Sequence, residues 1–248
     1  MNLVLIEPEE LGADGTARLG GRRLAHVREV LGAGPGERVR VGMVGGRLGE
    51  AEVLSASERE LVLRPALDAD PPPPAPVSLL LALPRPKILR RVLQSAASMG
   101  VKRIVLLGSW RVERSYFASP LLAPAALREQ LLLGLEQGRD TIVPEVAVHR
   151  LFKPFVEDEL DGAFPEPSRL LAHPAGAPPI ESLAPRGPRA ALAVGPEGGW
   201  TPYEAGRLAE RGFAPFSLGP RALRVDAAVP YAIGQAELWL RSRAKGPS

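Results

Sequence analysis

Two short segments carry the residues best suited to chemistry. The first, Gly195-Pro196-Glu197-Gly198-Gly199, follows an apolar run and leads straight into Thr201-Pro202-Tyr203-Glu204. Three glycines in five residues let a ligand reach main-chain N–H and C=O groups, or serve only a tight turn that needs positive φ. The segment has neither the G-x-G-x-x-G spacing of a dinucleotide site nor the G-K-[ST] of a P-loop, and Glu197 would repel a phosphate. An uncharged or cationic ligand fits more easily. The second segment places Gly219 at a strand end, then Arg221, Arg224 and Asp226 before a helix. Guanidinium groups stay protonated, so the two arginines can stabilise a developing anion but cannot act as ordinary bases. The bland alternative for each is a surface ion pair. Asp226 can accept a proton or cap the helix behind it, and capping is the commoner use of Asp at such a point.

Both segments need strand-to-helix crossings to hold them. Thr201, Pro202 and Glu204 form a complete helix start with a capping box, and Gly212 closes that helix. Pro230 is tolerable only near a first turn, which predicts a helix starting at 226–229. Upstream, VSLLLAL (77–83) reads as a buried strand. Pro86 then opens a helix with Ile88, Leu89, Val92, Leu93, Ala96 and Ala97 on one face, ended by Gly100. RIVLLG (103–108), VPEVAVH (143–149), RLLAHP (169–174), ALAVG (191–195) and FAPFSLG (213–219) read as strands. Helices are expected at 124–137, with Gly138 as the left-handed stop, and at 152–160. Strands alternating with helices predict an α/β domain on a mostly parallel sheet, whose ligands bind at the carboxyl ends of the strands.

The part before PPPPAP (71–76) has a different grammar. LAHVREVL (24–31) is a short amphipathic helix, followed by three strand-like runs at 37–44, 47–57 and 59–66 with Gly-rich turns. The division is a compact β-rich module over 1–70, a polyproline linker over 71–76, an α/β domain over 77–243 and a tail over 244–248.

Composition narrows the chemistry. The 248 residues are 45% hydrophobic and 24% charged, as in soluble globular proteins, and no apolar run is long enough for a membrane span. The start MNLVLIEPEEL lacks the regions of a signal peptide, so a cytoplasmic protein is expected. With no cysteine and three histidines, disulfides, cysteine zinc sites and thiol catalysis drop out, and no metal is expected. Charge is uneven: residues 85–114 hold 8 Lys/Arg against 1 Asp/Glu, whereas residues 1–70 hold 9 against 12. The basic block suits a polyanion such as RNA or is a solvated helix face.

In LAVGPEGGW (192–200), LGPRALRVDAAV (218–229), LLAHP (170–174), LEQGRDTIVPEV (135–146), SWRVERS (109–115) and HVREVLGAGPGERV (26–39), the chain resembles the SPOUT class of RNA methyltransferases. Within that class it is similar to the 16S ribosomal RNA uracil-N3 methyltransferase (RsmE) family, over essentially its whole length. The resemblance implies a small PUA-like β-barrel that binds RNA, a SPOUT-type α/β domain with a C-terminal trefoil knot, and a homodimer. It also implies S-adenosylmethionine as cofactor and 16S rRNA of the 30S subunit as partner. By position, the cofactor would meet Leu171, Ala172, His173 and Pro174, then Gly195, Pro196, Glu197, Gly198 and Gly199, then Leu218, Gly219, Leu223, Arg224 and Val225.

For methylation of uracil N3, Arg224 is the first candidate to stabilise the deprotonated base, Arg221 the second, and Asp226 a candidate base. RNA contacts are assigned to Arg22, Arg23 and Arg28 in the first module and to Arg85, Lys87, Arg111 and Arg139 in the second. The family pattern L-R-T-E-T-A stands here as Leu223-Arg224-Val225-Asp226-Ala227-Ala228, without either hydroxyl. A relative that binds RNA with an altered substrate or without catalysis is therefore the alternative.

Overall fold

The computed structural model describes residues 2–173 and 176–244, the last two of them by main chain only. Pro174 and residues 245–248 of the expected tail lie outside them. Two sheets organise the chain. The first has the order β1-β3-β4-β5-β2, from β1 (Val4–Ile6), β2 (Ala17–Leu19), β3 (Arg38–Met43), β4 (Leu48–Ala56) and β5 (Leu61–Ala69). Its pairs are antiparallel except β1 with β3. Residues from both edge strands, among them Val4, Ile6, Ala17 and Leu19, share one buried cluster with Val41, Val53 and Leu63, so the sheet curls around its own core. Strands β1 and β2 are additions to the three runs expected from sequence. At three residues each, they are too short to show a period of two. Helix α1 (Gly21–Ala25) continues as a π-helical turn over His26–Leu31.

The second sheet is fully parallel, with the order β11-β9-β10-β6-β7-β8. Its strands are β6 (Val77–Ala82), β7 (Arg103–Leu107), β8 (Glu145–His149), β9 (Ser168–Ala172), β10 (Ala190–Val194) and β11 (Ala214–Phe216). Every residue of β6 and β10 is buried, as continuous apolar runs in a covered parallel sheet require. Helices α2 (Pro86–Ser98), α3 (Pro124–Gly138), α4 (Phe152–Pro154), α5 (Leu160–Ala163), α6 (Pro202–Glu210) and α7 (Val225–Ala244) complete the domain, with a π-helical turn between α4 and α5. All six apolar positions named for α2 are buried. Of the expected strands 169–174 and 213–219, the ladders hold Ser168–Ala172 and Ala214–Phe216, and Ser217 to Gly219 leave β11 as a loop.

Gly138 does not stop α3 in the left-handed region; Arg139 does, at φ 55°, with its N–H donated to the Leu135 carbonyl. Gly138 is needed for a different reason. A Cβ there would lie 2.5 Å from the Ser98 carbonyl oxygen, and one on Gly134 would lie 2.4 Å from that of Gln94. The two glycines let α3 pack directly on α2.

The proline segment does not leave the sheets separate. Ala75 is buried and its N–H bonds to the Gly100 carbonyl (2.9 Å), while Leu3 and Leu5 join the core of the second sheet. Arg22 forks onto Glu136 (2.7 and 2.9 Å) and Arg128 onto Glu7 (2.6 and 2.7 Å), each across the junction.

Candidate active site

The register of the second sheet determines where the predicted segments meet. Val194 pairs with Ala172, and Ala172 pairs with Phe216, so β10, β9 and β11 end side by side. The His173 N–H donates to the Phe216 carbonyl (3.0 Å) and prolongs that alignment. The segments after Ala172, Val194 and Phe216 therefore leave one carboxyl edge from three adjacent strands. Leu171 and Ala172 are buried within the sheet, so only their main chain can face a ligand; His173 is half-buried. Pro174, predicted to follow them in the site, lies outside the described residues.

The glycine segment is a built turn. Gly199 donates its N–H to the Pro196 carbonyl (2.8 Å) and adopts φ 71°. A Cβ on Gly195 would lie 3.1–3.2 Å from the main-chain nitrogen and ring of Trp200. Gly219 stands at φ 108°, a conformation that side chains resist. Beside Gly195, the buried Trp200 carries an Nε1–H with no acceptor among the described residues. A main-chain wall of glycines with a spare buried donor fits a compact polar ligand.

Helix α6 holds this turn in place. Thr201 Oγ1 accepts from the Glu204 N–H (3.2 Å), and Glu204 Oε2 accepts from the Thr201 N–H (2.9 Å), the predicted capping box. Glu204 is buried, and its Oε1 accepts the Trp110 N–H (2.7 Å), joining the 109–113 loop to the same helix end. Arg111 donates to the Gly198 carbonyl, and Arg85 Nε and main-chain N reach Glu197 Oε1 (3.3 Å each). The charge of Glu197 is thus balanced by Arg85 instead of standing open to a cationic ligand.

On the second segment, Arg221, Leu223 and Arg224 are exposed, Leu218 is half-buried and Val225 is packed in the core. A cavity of about 360 Å³ is lined by Leu218, Gly219, Arg221, Leu223 and Tyr231, among others. Asp226 lies in the first turn of α7, which starts at Val225, one residue earlier than expected. Its carboxylate takes a hydrogen bond from Arg91 Nη1 (2.9 Å) and an ion pair from Arg224 Nε (3.4 Å). The Arg91 hydrogen bond, with the charges of Arg224 and Arg91, lowers its pKa below the usual Asp value. Such a carboxylate is a weaker proton acceptor and a better tether for Arg224.

The structure splits the seven arginines and lysines assigned to RNA. Arg85 and Arg111 sit on the glycine turn, and exposed Lys87 lies in the first turn of α2 beside them. Arg22 and Arg139 stand at the opposite end of α3, near the amino ends of the strands. Arg23 is committed to Glu10 and the Leu5 carbonyl, and Arg28 reaches the Ser57 carbonyl (3.1 Å).

A second cleft, larger than the cavity at Leu218, involves residues that sequence reasoning passed over. It holds about 1030 Å³ and is lined by Ser109, Trp110, Arg114, Arg150, Lys153 and Tyr203, among others. Trp110 and Arg114 fall within SWRVERS, from which only Arg111 was singled out. An unpaired tryptophan in a basic run was the available signal.

The family model described as an RNA methyltransferase domain matches residues 71–237. A ribosomal RNA small subunit methyltransferase E from Treponema pallidum is 31% identical, spanning 97% of this chain and 94% of its own. The chain belongs to this methyltransferase family. A second member, from Synechocystis, is 27% identical across 96% of this chain and 78% of its own. Among solved structures, a putative methyltransferase from Legionella pneumophila in complex with bound SAM superposes with a TM-score of 0.75 at 23% identity, covering 96% and 97% of the two chains. A ribosomal RNA small subunit methyltransferase E from Neisseria gonorrhoeae bound to S-adenosyl methionine gives 0.70 at 23%, over 94% and 95%. At that identity the likeness is one of fold: these proteins share the α/β architecture with its preceding curled sheet.

Proposed function

We infer that the chain transfers a methyl group from S-adenosylmethionine to N3 of a uridine in 16S rRNA of the small ribosomal subunit. One observation carries this reading: in a member of this family, three loops leave adjacent strand ends, two of them carry the glycines at 195, 199 and 219, and the last holds Arg224 tethered to Asp226. When bound, the cofactor supplies an electrophilic methyl group on a sulfonium. Gly195, Gly199 and Gly219 would hold it by main-chain groups, with Trp200 Nε1 as a further donor. Loss of the uracil N3 proton spreads negative charge over N3, O2 and O4. Arg224 would stabilise that anion, with Arg221 beside it, while Asp226 orients Arg224 and is not the proton acceptor. Positioning and fixed charge then supply most of the acceleration.

The finer architecture follows the same reading. The division is a PUA-like RNA-binding barrel over 1–70, a junction over 71–76 and a knotted SPOUT domain from 77. In support of a knot, α7 leaves edge strand β11 yet packs back on α2 and β10, and Trp239 Nε1 donates to Leu183 of the β9–β10 connection (2.9 Å). In support of a homodimer, Tyr231 and Leu238 are 50% and 63% exposed, seven residues apart on one face of α7. The place of action is the cytoplasm, where the ribosome is. No helix among the described residues is long and apolar enough to cross a membrane.

The test is transfer of tritiated methyl groups to 30S subunits lacking the modification, followed by nucleoside analysis. Label in 3-methyluridine is expected. Label in another nucleoside, or none from protein that binds the cofactor, overturns the assignment.

A further inference from the structure

The cleft at the carboxyl ends of β7 and β8 has no part in the cofactor wall, yet it adjoins that wall through Thr201 and the Trp110–Glu204 bond. Its surface combines two chemistries. Trp110 is 86% exposed and Tyr203 58%, unusual for rings that gain so much from burial. Arg114, Arg150 and Lys153 stand exposed around them, and Arg150 lies over the Phe117 ring at 5.8 Å, which braces it at the rim. The one carboxylate lining the cleft, Glu204, is spent: Oε1 accepts from Trp110, and Oε2 from the N–H and hydroxyl of Thr201. Ser109 Oγ, on a lining residue, is buried with no partner among the described residues. The net field is therefore positive over an aromatic floor.

We propose that this cleft receives an unpaired stretch of the substrate RNA, with bases stacked on Trp110 and Tyr203 and phosphates met by Arg114, Arg150 and Lys153. Exposed rings interleaved with cations are what single strands require, because every base has a π-face and every linkage a charge. At about 1030 Å³ the space stands at the upper end of the range of ligand clefts and admits a base with its neighbouring sugar and phosphate. The cleft reaches Thr201 and Glu204, the capping box behind the glycine turn, so a strand lying in it passes beside the loop that would hold the cofactor. This deepens the methyl-transfer reading by naming the surface that selects unpaired RNA.

The tryptophans make the test direct. Trp200 and Trp239 are 4% and 5% exposed, so Trp110 is the ring a ligand can quench. Titrating the full-length protein with a short single-stranded oligouridylate should quench its fluorescence. Trp110→Ala should abolish the quench and weaken affinity, measured by anisotropy of a labelled oligonucleotide, by roughly 5- to 150-fold, the loss expected for one stacked base. Arg114→Ala, Arg150→Ala and Lys153→Ala should each flatten the slope of log affinity against log salt by about 0.7. S-adenosylmethionine affinity should not change in any of the four.

Wild-type oligonucleotide affinity in Trp110→Ala and in the three cation variants overturns the proposal while leaving the methyl-transfer reading intact. Failure of the wild-type protein to bind the cofactor would instead sink that reading. A shift in sedimentation of Trp110→Ala with unchanged RNA affinity would make the cleft an interface between copies, and would equally overturn the proposal.

Discussion

The two halves of the carboxyl edge solve recognition in opposite ways. Beyond β9, β10 and β11 the wall is main chain: glycines at 195, 199 and 219 remove side chains, and the capping box of α6 fixes what remains. Beyond β7 and β8 the surface is side chain, with rings and cations presented on exposed positions. A main-chain wall suits a ligand of fixed shape, since its donors cost no side-chain entropy to order. An open platform suits a polymer that must slide into place. Arg85, Arg111 and Glu204 join the halves, so the loop that would hold the cofactor and the loop that carries Trp110 form one unit.

The strongest attack on this contrast is Gly195→Val. Its Cβ would press within 3.1–3.2 Å of Trp200, and its γ-carbons would intrude further. Misplacing the wall on this scale should lower methyl transfer by roughly 100-fold. Calorimetry should show cofactor binding falling with it. If the wall is only a turn, both will survive.

Arg224→Ala separates rim from wall. Loss of a charge aimed at the developing anion should cost roughly 100- to 1000-fold in turnover, with cofactor affinity unchanged by calorimetry. The join between the halves is tested by Glu204→Ala, which leaves the N–H groups of Trp110 and Thr201 without their acceptor. Each buried unsatisfied group costs about 1–3 kcal/mol, to be read from the urea midpoint. Both cofactor and oligonucleotide affinities should fall together.

The smallest effect belongs to Asp226. Its pKa is lowered in the folded state, chiefly by the Arg91 hydrogen bond. Its contribution to stability is therefore fully present above the ordinary Asp value and is lost as pH falls through the lower folded value. The difference in unfolding free energy between wild type and Asp226→Asn should be constant from pH 5 to 8 and shrink below about pH 4. Added salt should reduce it, because Arg91 and Arg224 are exposed.

The half of the edge made of glycines was legible in the sequence, and the half made of side chains was not. Gly195–Gly199 and Gly219 announce themselves because few other residues tolerate such backbones, and Thr201 with Glu204 marks the helix start by spacing alone. The parallel sheet was readable from runs such as 77–83, whose uninterrupted apolarity needs cover on both faces. Arg150, Lys153 and Tyr203 were opaque, since their value comes from being brought to one cleft by β8 and α6. Charge counting misled in its own way: Arg22 and Arg23 form a local pair in sequence, but the fold turns them toward Glu136 and Glu10. Gly138 shows the same limit, because a helix-ending glycine and a helix-packing glycine read alike until α2 is seen beside it.

Leu5 belongs to the core of the second sheet although its strand β1 pairs in the first, and Leu3 just before that strand does the same. A segment stitched into both layers leaves little freedom for one to swing against the other. The span between the curled sheet and the carboxyl edge then acts as a fixed gauge, and an RNA that touches both must bend or unpair to match it. Choice of target would rest on which transcripts can be deformed cheaply to that length, as much as on any letter of their sequence.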